Sequence, residues 1–478
     1  MSFVQVEFLG FFLTVFALYW AFPTVKLQNR VLILASFTFY GWVHPWMLAL
    51  LAAVTLVNYG AGRAIVARPE WGGRIVGATV ALCIAALCGF KYFGWFVEAF
   101  AEVLPDSVRL LRVGLPLGLS FYTFHNLAYT IDVHRERVKM EPNVETYLLY
   151  GSYFPQLVAG PVERPSNMMP QFNTPRQFDV ELVRSGFGLA LWGAFKKIAL
   201  ADTISPYVDA IFAHPDPSWA MVWAGALGFT VQALADFSGY TDIARGTSRM
   251  LGIELMKNFD HPYMAATPME FWQRWHISFS TWLRDYVYLP ACFSPWVRRY
   301  VTLPFTGEWS PFWHTTRALF ITMLASGIWH GSTWNFVVWG LYHATMATIY
   351  TAILAKLPKK LKKQGGWRWV TVPLQFGVTV LGMYIFREPL LSNSWARLQL
   401  NPFDGSREQW IVATSMVGLC IAASLPLVAA MSFEKFVLPK VERAPWLLPL
   451  QTTAWAVFAI AVFSSVRTTA TDFIYFQF

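Results

Sequence analysis

The sequence predicts an all-α protein that crosses a membrane many times, and three observations carry that prediction. The 478 residues are 55% hydrophobic and only 14% charged, with a mean hydropathy of +0.40; a soluble globular domain carries about 25% charged residues. Apolar runs recur from one end to the other, many near the ~20 residues a helix needs to cross hydrocarbon. The basic residues sit in short segments between these runs, so positive-inside topology explains the net charge of +9 without nucleic acid as a partner. The partner implied is the lipid bilayer, and 23 tryptophans suit its two interfaces.

In chain order the expected crossings are 6–22, 31–44, 46–66, 75–104, 185–213, 218–236, 317–355, 369–386, 409–431 and 447–466. Residues 6–22 lack a basic lead-in and a small-residue cleavage site, so they read as a retained helix. Residues 115–131 and 145–160 are apolar but interrupted by Gly, Pro and polar residues; they either span or are re-entrant and buried against protein. The total is roughly ten to twelve crossings in one integral membrane domain, 1–478. The polar stretch 160–184, rich in Pro, Asn, Gln and Arg, reads as an exposed loop. The basic segment KLPKKLKKQGGWR, 356–368, is expected on the cytoplasmic side, which places 387–408 outside and 432–446 inside. From the front, Lys26 and Arg30 lie two crossings before Arg63, Arg68 and Arg74, so both loops are expected inside and the N-terminus outside. Cys83, Cys88, Cys292 and Cys420 form no CxxC pair, and no HExxH occurs, so the spacing indicates neither a metal site nor a disulfide framework.

Residues 266–290, ATPMEFWQRWHISFSTWLRDYVYLP, differ from the other runs. Thr267 is placed to cap a helix, with Pro268 at its first position and Glu270 at its third. Glu270 and Arg274 stand at i,i+4 in the order that supports an ion pair. Trp272, Trp275, Phe279 and Trp282 recur at three- and four-residue spacing. The segment is too polar to face lipid and predicts an amphipathic helix at the interface.

An ionisable side chain inside a membrane costs about 2.5–3.5 kcal/mol when charged, so it faces protein or water and usually has a purpose. His330, in ASGIWHGSTWNFVVWGLYHA (325–344), is the sharpest case. Gly327 and Gly331 flank it, each weakening a helix by about 1 kcal/mol relative to Ala, and Ser332, Thr333 and Asn335 follow. The pattern describes a helix opened around a polar cavity. A histidine there can act as general base to a hydroxyl or thiol; a buried structural histidine bonded to a carbonyl is the alternative. His343 lies about 220° further round an unbroken helix, so the pair would not share a metal. His276 is either a second polar group of the site or a satisfied interfacial residue, and His125 reads as structural. Asp236 fits a cap for a following helix better than a partner to another side chain. Lys196 and Lys197, mid-run, either snorkel to an interface or bind an anionic headgroup. No P-loop, GxGxxG or GxSxG occurs. A transporter without bond chemistry is the rival from another class, since a helix broken within the membrane also suits a transport site. Against it, the broken-helix motif has no counterpart in the other half and carboxylates are scarce in the spans.

Six ordered segments add a further signal: LPLGLSFYTF (115–124) with Ile131–Asp132–Val133, SYFPQLVAGPVER (152–164), Lys196–Lys197 with Ala201–Asp202, DFSGYTDIARGTSRMLG (236–252), NFDHPYMAATPMEFWQRWHISFSTWLRDYVYLP (258–290) and WHGSTWNFVVWGLYHA (329–344). In these the chain resembles the membrane-bound O-acyltransferases, in particular the bacterial alginate O-acetyltransferase-like branch. It departs from that pattern at Ala291–Cys292–Phe293, where a Gly pair is usual, and at His125, where Gln is common. The resemblance implies interfacial and re-entrant helices around a central tunnel, with His330 catalytic and His276 supporting it. It implies transfer of an acyl group, most simply acetyl from cytoplasmic acetyl-CoA, through the bacterial inner membrane. The acceptor would be an exopolysaccharide or a periplasmic acetyltransferase partner, with D-alanyl or another acyl group as the alternative cargo. Arg274 and Arg284 are the expected attractors of the donor's phosphates.

Overall fold

In hydrocarbon a backbone N–H or C=O has no water to pair with, and a helix satisfies both within one segment. The chain follows this rule: among the described residues every regular element is helical. The computed structural model describes residues 1–42, 44–100, 116–158, 160–293, 311–356, 365–441 and 447–465. Most of the basic segment 356–368 lies outside them, as do 101–104, Leu115, 442–446 and residue 466 from the expected elements.

The chain divides into two compact units, Met1–Ala194 with Tyr240–Lys257, and Phe195–Gly239 with Asn258–Phe478. The first contains α1 (Val6–Ala21), α2 (Val25–Gly41), α3 (Met47–Ala67), α4 (Gly72–Lys91), α5 (Leu119–His134), α6 (Val144–Ser152) and α7 (Val180–Ala194). The second contains α8 (Asp202–Ala213), α9 (Trp219–Met250, whose last turns are counted with the first unit), α10 (Pro268–Arg274), α11 (Ile277–Leu283), α12 (Pro311–His330), α13 (Trp334–Lys356), α14 (Arg368–Arg387), α15 (Arg407–Ser432) and α16 (Leu447–Ser465). Seven helices among the described residues are long and apolar enough to cross a membrane: those that include α3, α4, α9, α13, α14, α15 and α16. Two other expected crossings are shorter helices; α1 has 16 residues and α2 has 17.

Large apolar side chains also remain on the surface. Ile421 and Leu425 of α15 and Ile460 and Phe463 of α16 are exposed, as suits helices solvated by lipid, while polar groups pair inside. In the first unit Thr130 donates to Asn58 Oδ1 at 2.7 Å, and Tyr147 donates to Asn126 Oδ1 at 2.8 Å. Such bonds between helices supply specificity where hydrophobic burial against lipid supplies little. Of the two ambiguous segments, α5 is buried at nearly every residue and α6 buries six of its nine, so both are packed against protein.

Three expectations are corrected. Residues 160–184 are not simply an exposed loop: Pro165–Asn173 is a helix that buries Met168, Met169 and Phe172. Asp236 caps nothing, because α9 runs on to Met250. It lies 2.7 Å from Lys197 Nζ, which also donates to Asp202 at 2.7 Å. Lys197 therefore neither snorkels nor meets a headgroup; it is 2% exposed, in a π-helical turn (Phe195–Ala201), and Lys196 is likewise buried with its Nζ donating to Ser238. Two buried carboxylates attract one buried ammonium more strongly than a distant interface can.

Candidate active site

The second unit gathers the residues singled out by chemistry. Thr267 Oγ1 accepts the Glu270 N–H at 2.9 Å, and Glu270 Oε2 accepts the Ala266 N–H at 2.7 Å, so α10 begins as its sequence dictates. Arg274 pairs with Glu270 at 2.9 Å, and Arg368, at the start of α14, pairs with the same carboxylate at 3.0 Å. Burial opposes ionisation of Glu270, but the bond from Arg368, the Ala266 N–H and the charge of Arg274 together hold its pKa below the usual carboxylate value.

The helix expected to continue through 290 breaks at Trp275–His276. His276 adopts φ 44°, ψ 52°, the left-handed region, before α11 begins. A non-glycine residue there is disfavoured by roughly 1–3 kcal/mol unless its surroundings impose it. The surroundings do so: the Ile277 N–H donates to Asn258 O at 2.9 Å, and Asp260 N–H donates to Arg274 O at 2.9 Å. His276 is 1% exposed, and burial lowers its pKa below the ordinary imidazole value. Its ring packs edge-on to Phe237 at 4.7 Å and beside Phe279 at 5.1 Å.

His330 is the last residue of α12. Gly331, Ser332 and Thr333 interrupt the helix before α13 starts at Trp334, so the run 317–355 is two helices and not one. The flanking glycines serve approach more than weakness. A Cβ on Gly327 would collide with the backbone of Phe336, and one on Gly340 with the backbone of Met323, so α12 and α13 meet main chain to main chain. The hairpin holds His330 among Trp329, Trp339 and Phe386, with ring centroids 4.6–5.0 Å away.

Both histidines line one cavity of about 220 Å³. That is several times the ~30 Å³ that a water occupies in the liquid. Phe279 packs near both rings, 5.1 Å from His276 and 6.4 Å from His330. Thr322, Ser326, Ser280 and Thr281 add hydroxyls, and Gln273 an amide, to walls that include Trp272, Trp275, Met323 and Leu319. Arg284 also lines the cavity and pairs with Asp285 at 2.9 Å. Arg274 is not brought to it; its guanidinium is engaged by Glu270 and donates to Asp260 O at 3.1 Å. His343 sits one aromatic layer away, 4.8 Å from Trp339. His125, in the first unit, donates from Nε2 to Pro161 O at 3.2 Å, the structural role expected.

Two contributors escaped the sequence reading. Ser326 lies one turn before His330, and helical periodicity would have found it. Asn258 accepts from the His276 ring, yet nothing in its eighteen-residue separation marks it.

Comparison with known proteins places the chain in a family. Residues 116–295 match the model of MBOAT, the membrane-bound O-acyltransferase family. The chain is 35% identical over 406 residues to the probable alginate O-acetylase AlgI of Azotobacter vinelandii, covering 83% of this chain and 77% of that protein. It is 30% identical over 381 residues to the peptidoglycan O-acetyltransferase of Helicobacter pylori, covering 73% and 69% respectively. With the teichoic acid D-alanyltransferase of Bacillus subtilis it shares 27% identity over 284 residues, 56% of this chain and 68% of the relative.

Proposed function

Because the chain belongs to the membrane-bound O-acyltransferase family, a premise that makes it a multi-pass membrane enzyme and removes the transporter reading, we propose that His330 is its catalytic base, assisted by His276 across one cavity. The single observation that carries this reading is the convergence of the two rings on that cavity, from segments more than fifty residues apart.

The reaction is acyl transfer from a thioester to a hydroxyl. His330 takes the proton of the acceptor hydroxyl as its oxygen attacks the thioester carbonyl carbon; the C–S bond breaks, the new C–O ester bond forms, and the departing thiolate leaves as a thiol with that proton. His276 orients the incoming group or polarises the carbonyl. Walls of Trp, Phe and Met set apolar surface around the reacting groups, which strengthens these interactions. Neither step requires a permanently bound cofactor.

The donor is a cytoplasmic acyl thioester, most simply acetyl-CoA, and the acceptor an extracytoplasmic polysaccharide reached directly or through a periplasmic acetyltransferase partner. Relatives named for alginate and peptidoglycan O-acetylation support acetyl as cargo and a cell-envelope polymer as destination. A cytoplasmic donor with an external acceptor implies the bacterial inner membrane. Arg284, at the cavity and 60% exposed, is the better placed of the two arginines to attract the donor's phosphates. D-alanyl transfer is the second reading, favoured by relatives named teichoic acid D-alanyltransferase.

The test replaces His330 with Ala, verifies equal amounts in the membrane, and measures acylation of the cell's exopolysaccharide by mass spectrometry. Loss of the modification is expected, and the mass increment identifies the acyl group. Unchanged acylation refutes the role of His330.

A further inference from the structure

Asn258 reaches the break at His276 from eighteen residues upstream and is 1% exposed. Its Oδ1 lies 3.2 Å from the Ser278 backbone nitrogen, 2.9 Å from Ser278 Oγ and 3.2 Å from His276 Nδ1. A backbone N–H can only donate, so the amide atom facing it is the oxygen and not the nitrogen. That oxygen offers lone pairs alone. His276 Nδ1 therefore carries the hydrogen, and the neutral ring keeps its acceptor lone pair on Nε2. The same residue also holds the main chain, since Asn258 O accepts the Ile277 N–H.

We propose that Asn258 is a positioning residue for acyl transfer: it fixes His276 in the tautomer whose acceptor nitrogen is Nε2, and holds the left-handed turn that brings this ring to the cavity shared with His330. The proposal rests on the reading of the two histidines as the reacting pair. An acceptor nitrogen is what His276 needs to receive a hydrogen bond from an incoming hydroxyl; the other tautomer would offer a donor in its place. Asn258 is not among the cavity's lining residues, so its effect passes through His276.

The experiment uses the full chain in proteoliposomes, with acetyl-CoA as donor and the exopolysaccharide of the same cells as acceptor. Asn258→Leu removes the acceptor. Asn258→Asp keeps it and sacrifices no hydrogen bond, because Nδ2 has no partner among the described residues. Asn258→Leu is expected to lower kcat about 10–100-fold, the scale on which removing a partner that orients a reactive histidine acts, with KM for acetyl-CoA within about twofold. Asn258→Asp should stay within about fivefold of the parent kcat, at an unfolding temperature lowered by its buried carboxylate. In a His276→Ala background, Asn258→Leu should cost nothing further.

Additive losses in the double variant overturn the proposal, as does a defect confined to KM. Parent kcat in Asn258→Leu or in His276→Ala also overturns it. If Asn258→Leu fails to accumulate, Asn258→Asp decides: a folded protein, shown by a cooperative unfolding transition, with kcat below a tenth of the parent refutes the role. Full activity of His330→Ala has a different meaning, because it removes the paired-histidine reading while leaving the coupling between 258 and 276 measurable.

Discussion

Gly327 offers a direct measurement of how closely the α12–α13 hairpin controls His330. It lies within α12, three residues before the histidine. A Cβ at this position would stand 3.1 Å from the carbonyl carbon of Phe336 and nearer still to its oxygen. Carbon atoms rest about 3.5–4.0 Å apart, so Gly327→Ala requires the two helices to separate by something on the order of 1 Å. Two effects oppose each other. Alanine favours a helix interior by about 1 kcal/mol over glycine, whereas overpacking costs about 1–3 kcal/mol. The obstacle is main chain and cannot rotate aside, which places the cost toward the upper end and makes the net change destabilising by about 1–2 kcal/mol. The kinetic consequence is larger, since a misplacement of about 1 Å can cost about 100-fold in rate. The assay compares thermal unfolding and acyl transfer of Gly327→Ala with those of Gly377→Ala. Gly377 lies in α14, where an added Cβ meets nothing within 4 Å. Gly377→Ala should match or exceed the parent in stability at normal activity. If the two variants behave alike in both measurements, close main-chain approach is not what holds His330.

Three further outcomes follow from particular contacts. Lys197→Met leaves Asp202 and Asp236 buried without the ammonium 2.7 Å from each, which should destabilise by about 3–5 kcal/mol and deplete folded protein in the membrane; adding Asp202→Asn and Asp236→Asn should restore much of it, as read by detergent-resistant yield. Burial raises the pKa of Glu163 to about 7, against the opposing pull of Asn167, the Met256 N–H and Arg245. The folded chain thus holds this proton more tightly than an unfolded one with a pKa near 4.5, so the contribution, about 3 kcal/mol at about 1.4 kcal/mol per pH unit, is full below pH 4.5 and lost as pH rises through about 7. The unfolding temperature should fall between pH 5 and 8, and Glu163→Gln should flatten that slope; an equal slope in both proteins sinks the assignment. Thr267→Ala removes the cap from the Glu270 N–H and should cost about 1 kcal/mol, detectable as a lowered unfolding temperature.

The local signals were the legible ones. The cap at Thr267, the Glu270–Arg274 pair and the opening after His330 each depend on residues within a few positions of one another, and each is present. Signals that needed a partner from elsewhere were misread. Asp236 resembled a helix end because Gly239 follows it, but Lys197 claims it from another segment and α9 continues. Lys197 looked like a cation in need of water because its two carboxylates, five and thirty-nine residues away, cannot be inferred from its own run. The glycines beside His330 suggested a weakened helix, while the space at Gly327 is taken by the Phe336 backbone and the space at Gly331 by the Phe336 ring.

What the sequence determined alone is the class of solvent and the chemistry at hand. Apolar runs of spanning length admit only helices in lipid, and a histidine embedded in such a run calls for a protein or aqueous environment. Tertiary structure decided which groups meet. His276 reaches the cavity only through a left-handed turn at a non-glycine residue, which no local propensity favours and which Asn258 sustains from a distant stretch. Helix formation answers to backbone hydrogen bonds between near neighbours; the encounter of His276 with His330 answers to packing among segments far apart in the chain, and packing is where that information resides.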